Sequence, residues 1–352
     1  MGIASGRFVI DTHVHSLRLA LKLKESGSTA GFVELGKGMR VLEGYDNSPR
    51  LLYDMERYGV DMCILNPGPG AGDGSITEAT VKKFPDKFVA MYDGSAYVEK
   101  AKRGEVKWTI EGLCQDLDEH FSTGLYVGIG EGMPAGPVAD MNKTLPWEER
   151  FEQICPIMEV ARKHKVSVGW HTGGASGYAG GRTQLGSRAF GARANPLLAH
   201  DVAAAYPDVP LILAHGGIDG WWSETTWELC LQVAAAHPNV YLETGQWWAE
   251  LYDKPLRDPN IGAERLIWGT DWGAAHPVQW WPGAYPTTYF DQSRKDGIPH
   301  HMPDIFGQSL RWLDKLNIPQ DDLNLILGGN AVKLFRLEDK MPHTRMFKQF
   351  LV

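Results

Sequence analysis

Short apolar runs of strand length recur eight times along the chain, at residues 7–10, 60–65, 87–92, 124–130, 166–170, 209–214, 239–243 and 265–269. Helical patterns separate most of them, at 51–58, 110–121, 147–164 and 223–237, so the order is repeated β–α. The runs are nearly continuous in apolar character, as strands buried on both faces must be. Eight such units predict a single (β/α)8 TIM barrel rather than an open doubly wound sheet. No Gly-x-Gly-x-x-Gly follows the first run, which counts against a dinucleotide-binding sheet. Residues 247–264 lack a clear helical pattern, so the seventh unit is the least defined.

The expected barrel spans residues 1–337, with 338–352 as a C-terminal tail. Phe347, Phe350 and Leu351 in that tail need a surface to cover, either the barrel or a neighbouring subunit, and a homo-oligomer is expected. Three stretches exceed ordinary loop length: 16–49, 173–196 and 272–303. Each follows the C-terminal end of a strand, which puts all three on the face where barrels of this kind carry their chemistry.

Composition narrows the class of partner. With 43% apolar and 22% charged residues the chain can bury a large core. A formal charge of −8 without a Lys/Arg stripe excludes a nucleic-acid partner and favours a small-molecule substrate. No apolar run approaches membrane-spanning length, and no charged segment with an apolar stretch precedes the first strand; a cytoplasmic protein is expected. Cys63, Cys114, Cys155 and Cys230 show no Cys-x-x-Cys spacing and read as reduced core thiols.

Chemistry enters at the end of the first run, with Asp11-Thr12-His13-Val14-His15. Strand side chains alternate, so His13 and His15 point to one side and can share a metal ion. An isolated His-x-His is more often a surface turn. Here the later runs end in kind: Gly130-Glu131 after the fourth, Trp170-His171-Thr172 after the fifth, His215-Gly216-Gly217 after the sixth and Gly269-Thr270-Asp271 after the eighth. A core role could explain any one of them. Together, at successive strand ends, His13, His15, Glu131, His171, His215 and Asp271 converge on one mouth of the barrel and favour a metal site.

This pattern resembles the amidohydrolase superfamily, in particular the branch that includes aminocarboxymuconate-semialdehyde decarboxylase. Leu327-Gly328-Gly329-Asn330-Ala331, opening a helix through Phe335 with Asn330 as its expected N-cap, is similar to that branch's closing signature. The resemblance implies that His13, His15, His171 and Asp271 bind metal, and that His215 is a second ligand or the base that handles catalytic water. It also leaves Glu131 two roles. As a bridge it would join a His13–His15–Asp271 site to a His171–His215 site; otherwise it orients an imidazole or belongs to a helix N-terminus.

One or two divalent ions per chain are thus expected, with zinc preferred and iron or manganese as alternatives. A bound ion lowers the pKa of water from 15.7 to about 7 and polarises a carbonyl, predicting a hydrolase that attacks an amide, ester or lactone through metal-bound hydroxide. Asp271 and His215 are the candidate proton shuttles. Two other reactions stay open: non-oxidative decarboxylation of a hydroxyaryl or muconate-like acid, and oxygenation at a dinuclear iron or manganese site. Candidate substrate-binding residues are Arg182 and Arg188, able to grip a carboxylate, and an aromatic rim including Trp222, Trp248 and Trp272. Solvated arginines and packed tryptophans are the plainer readings. Glu243, at the end of the seventh run, is a further polar candidate whose default role is ion pairing.

Overall fold

The computed structural model describes residues 6–15, 17–23, 39–46, 48–67, 74–132, 146–172, 195–218, 224–245, 247–272 and 305–341. Strand β1 (Ile10–Val14) is followed by β2 (Leu17–Leu23) and β3 (Met39–Asp46). Then come β4 (Met62–Leu65), β5 (Phe88–Tyr92), β6 (Tyr126–Ile129), β7 (Ser167–His171), β8 (Leu211–Ala214), β9 (Val240–Glu243) and β10 (Leu266–Ile267). Helices α1 (Ser48–Tyr58), α2 (Ser75–Lys83), α3 (Ser95–Lys102), α4 (Ile110–Ser122) and α5 (Trp147–His164) lie in the first half. The second half adds α6 (Leu197–Ala205), α7 (Glu224–Ala236), α8 (Ala249–Arg257), α9 (Ile305–Asp314), α10 (Gln320–Asn324) and α11 (Asn330–Phe335).

Eight of the strands form one sheet in the order β1-β4-β5-β6-β7-β8-β9-β10, all pairs parallel. The two ends meet: the Thr12 amide donates to the Trp268 carbonyl at 3.0 Å, the His15 amide donates to the Trp272 carbonyl at 2.7 Å, and Val14 bridges Trp272 in parallel. The sheet thereby closes as the expected (β/α)8 barrel. Period-two alternation sorts its apolar residues into two shells. Ile10, Met62, Ile64, Val89, Met91, Ile212 and Ile267 share one cluster inside the barrel. Val9, Cys63, Leu65, Phe88, Ala90, Leu211 and Leu213 belong to the other, beneath the helices, where Trp170 also lies.

Two expectations change. The segment 16–49 is not simply a loop, because β2 and β3 pair antiparallel across it, Leu17 with Asp46 through Leu23 with Met39. Asn330 is not an N-cap. It has helical dihedrals, and the chain enters α11 from a π-helical turn, Leu325–Gly329, without leaving helical geometry. Its buried amide instead donates to the carbonyls of Ala263 (2.7 Å) and Leu266 (2.8 Å), tying α11 to the start of β10. Gly328 allows this approach, since a Cβ there would sit 2.0 Å from the Phe8 carbonyl oxygen. Ala331, Val332, Leu334 and Phe335 then join the inner cluster with Phe8 and close that end of the barrel.

The seventh unit does carry a helix, α8, whose Leu251, Tyr252 and Pro255 are buried. All four cysteines are free, with Cys63 and Cys230 buried in the core. Among the described residues, no helix is long and apolar enough to cross a membrane. The tail residues 342–352 lie outside the described residues.

Asn330→Ala should lower unfolding stability by about 2 kcal/mol or more, because it strands two buried carbonyls. Denaturant titration checks this; a loss under about 0.5 kcal/mol would show that the tie to β10 carries little.

Candidate metal centre

The six candidate ligands come together at one end of the barrel, each at or just past the C-terminal end of a strand. His13 and His15 leave the same face of β1, with Nε2 atoms 3.1 Å apart. Each ring is held from behind. His13 Nδ1–H donates to Glu243 Oε2 at 2.8 Å, and His15 Nδ1–H donates to the Asn66 carbonyl at 3.0 Å. With a carboxylate oxygen and a main-chain carbonyl as the acceptors, these bonds turn each Nε2 inward.

Glu131 follows β6 and its two oxygens face different partners. Oε1 lies 3.5 Å from His13 Nε2 and 3.6 Å from His15 Nε2, while Oε2 lies 2.9 Å from His171 Nδ1 and 3.4 Å from His215 Nε2. Asp271 joins the first group, with Oδ1 3.2 Å from His15 Nε2 and 3.7 Å from His13 Nε2. Ligand atoms about 2.0–2.2 Å from one tetrahedral ion stand about 3.3–3.6 Å apart, and closer when the angle narrows. The spacings of 3.1–3.6 Å among His13, His15 and Glu131 match that donor shell, and Asp271 Oδ1 stands 3.2 and 3.7 Å from the two histidines. Glu131, His171 and His215 form a second cluster with ligand-capable spacing, and Glu131 belongs to both.

The backbone is strained where the ligands sit. His215 and Asp271 have φ of +62° and +56°, a region that side chains other than glycine rarely occupy and that costs energy unless neighbours enforce it. At His215 the enforcement is visible. Its amide donates to Glu243 Oε2 (2.8 Å), its carbonyl accepts from Trp247 Nε1 (3.0 Å), and the Gly217 amide donates to Thr172 Oγ1 (2.8 Å). Gly216 and Gly217 continue at positive φ, and a Cβ on Gly217 would lie 2.4 Å from the Trp227 amide nitrogen. At the barrel seam, Asp11 accepts from the Thr270 hydroxyl (2.5 Å), the Thr270 amide (3.2 Å) and the His13 amide (2.9 Å), which fixes the chain on either side of the ligands.

Charge follows geometry. Burial disfavours a proton on His13, but the facing Glu131 and Glu243 carboxylates outweigh it and hold the imidazole well above its usual pKa. His215 is raised against its own burial by Glu131 and Asp271. Burial pushes Glu131 up, yet His13 and His171 prevail and keep it well below the usual carboxylate range. Burial pushes Asp11 up to about 8, offset in part by its bonds from Thr270 and the His13 amide. Such a cluster demands positive charge, from protons or from a divalent ion that displaces them.

Of the remaining candidates, Arg182, Arg188 and Trp222 lie outside the described residues. Trp248 packs half-buried against the core. Trp272 is buried, its indole N–H donating to Asp54 of α1 at 3.0 Å, so its ring anchors the seam and does not line an open rim. By sequence Glu243 is only a further polar candidate with ion pairing as its default, and Asn66 is not singled out. Asn66 contributes a main-chain carbonyl, for which no residue type is a signal.

A (β/α)8 barrel with histidines and carboxylates at its strand ends defines a class of metal-dependent enzymes, and comparison with known proteins agrees. The amidohydrolase family pattern matches residues 126–337, more than half of the sequence. The chain belongs to the amidohydrolase family. An L-fucono-1,5-lactonase from Burkholderia ambifaria is 30% identical over 152 residues, 39% of this chain and 44% of that protein, so the match spans less than half of the lactonase. Among solved structures, a putative metal-dependent hydrolase from Lactobacillus casei superimposes with a TM-score of 0.56 at 11% identity, covering 96% of this chain and 97% of the other. An amidohydrolase from Burkholderia multivorans with bound HEPES gives 0.51 at 14% identity, covering 94% and 99%. These two structures share the fold.

Gly269 makes room for Glu243, since a Cβ there would lie 2.2 Å from Glu243 Oε1. Gly269→Ala should therefore push the carboxylate off His13 and weaken zinc binding by about 10-fold or more while circular dichroism stays native. Competition with a chromophoric chelator measures this; unchanged affinity would mean that the carboxylate is not needed where it sits.

Proposed function

We propose that the chain is a metal-dependent hydrolase of small lactones or related esters, holding two divalent ions, preferably zinc. His13, His15 and Asp271 would hold one, His171 and His215 the other, and Glu131 would bridge them. The observation that carries this reading is the division of the Glu131 carboxylate, one oxygen toward each histidine pair. Ions bound there would lower the pKa of water toward about 7 and polarise the substrate carbonyl.

The protein's own groups do the rest. Asp271, buried beside the first histidine pair and held by a seam that bonds both neighbours of the turn, takes the proton of the attacking water and delivers it to the leaving alkoxide. For a lactone, the new C–O bond comes from water, the ring C–O bond breaks, and the leaving oxygen stays tethered in the hydroxy-acid product. His215, buried with Nε2 3.4 Å from Glu131 Oε2, presents that nitrogen to the second ion position. Similarity to the L-fucono-1,5-lactonase supports a lactone over an amide. Decarboxylation of a hydroxyaryl acid needs only one ion and gives a carboxylate poised between two histidine pairs no task.

Elemental analysis of protein purified without added metal or chelator should give near two equivalents per chain, with activity on sugar-acid δ-lactones. Glu131→Gln should lose one equivalent and reduce that activity by about 10-fold or more. One equivalent in the wild type, with carbon dioxide released from a hydroxyaryl acid and no lactone opened, would overturn the proposal.

A further inference from the structure

Glu243 ends β9 and forms a third ligand-capable cluster with His13 and His215; it is 1% exposed and touches both halves of the centre. Its Oε2 accepts from His13 Nδ1 at 2.8 Å and from the His215 amide at 2.8 Å. The first bond sets a ring in the His13–His15 pair. The second helps hold the left-handed residue that carries the other pair's imidazole. Among the described residues Oε1 accepts no hydrogen bond. It occupies space left by two glycines, where a Cβ at Gly245 or Gly269 would come within 2.9 or 2.2 Å. A side chain at either position would displace the carboxylate from both of its partners.

We propose that Glu243 is a positioning residue that couples the two metal positions: it fixes the His13 tautomer and the His215 backbone through one oxygen, so that loading one position prepares the other. This inference rests on the two-ion reading above. The argument is mechanical. An ion on His13 Nε2 polarises the ring and strengthens the Nδ1–H···Oε2 bond. That anchors Oε2, and with it the His215 amide, before the second ion arrives. The second ion then finds an imidazole already held in place and the ordering cost already met. By reciprocity, the second ion strengthens the first to the same degree.

The experiment is stepwise zinc titration of metal-depleted wild-type, Glu243→Gln and Glu243→Ala proteins, followed by calorimetry and by imidazole 15N NMR of the zinc-loaded forms. Glu243→Gln retains an acceptor oxygen and removes the charge, which keeps the test available if Glu243→Ala fails to fold. In the wild type, two ions should bind with positive cooperativity, and His13, like His15, should show a protonated Nδ1 with a hydrogen-bonded shift, the His13 signal being the one assigned to the Glu243 contact. In Glu243→Gln both affinities should fall together by about 10-fold or more, cooperativity should be lost, and that Nδ1 signal should move.

Two wild-type sites with an unchanged Glu243→Gln isotherm would overturn the inference and leave the two-ion reading standing. So would weakening at the first position alone. A single wild-type site would instead remove the two-ion reading, and the coupling with it.

Discussion

The seam between β1 and the end of β10 is the constraint on which the rest depends. A parallel sheet of eight strands becomes a barrel only if its last strand finds its first, and here β10 is just two residues long. Closure falls to Thr12, Val14 and His15 pairing with Trp268 and Trp272, and to Asp11 gripping Thr270 from the side. The residues that shut the barrel are interleaved with those that line its mouth. His13 and His15 cannot approach Asp271 unless the seam is closed. Fold and site are thus one cooperative object at this edge, with Trp272 pinned beneath Asp54 to keep it so.

Within that frame the centre is an electrostatic problem solved by opposition. Glu131, Glu243 and Asp271 are buried among His13, His15, His171 and His215, where an uncompensated carboxylate would be costly. The histidines lower Glu131 and the carboxylates raise His13, so each side stabilises the charge on the other. A divalent ion replaces several partial compensations with one full one. Strained backbone at His215 and Asp271 is tolerated because surrounding bonds fix it, and strain of this kind gathers where function requires a side chain in a fixed place.

Much of this was legible in the sequence because it depends on period and order. Apolar runs spaced by helical patterns give the barrel, and alternation places His13 with His15 and sends Trp170 outward. The ends of the runs bring Glu131, His171, His215 and Asp271 to one mouth. What escaped depends on contacts across the chain or on main-chain atoms. Glu243, a polar candidate by position, acquires its role only through His13, 230 residues away in sequence, and the His215 amide, while Asn66 acts through a carbonyl. Asn330 looked like a cap because asparagine favours the position that opens a helix; the π-helical turn there carries the helix through instead. The β2–β3 pair was read as loop, because long connections with polar and glycine content mask local strand propensity.

X-ray absorption spectroscopy of the zinc-loaded protein tests the central claim most directly, because it reports the ligand shell and any neighbouring metal together. Imidazole nitrogens at about 2.0–2.1 Å with a metal–metal contribution at about 3.5–4 Å are predicted, and that contribution should vanish in Glu131→Gln. A mixed nitrogen and oxygen shell with no neighbouring metal in the fully loaded wild type would contradict a bridged pair at the barrel mouth.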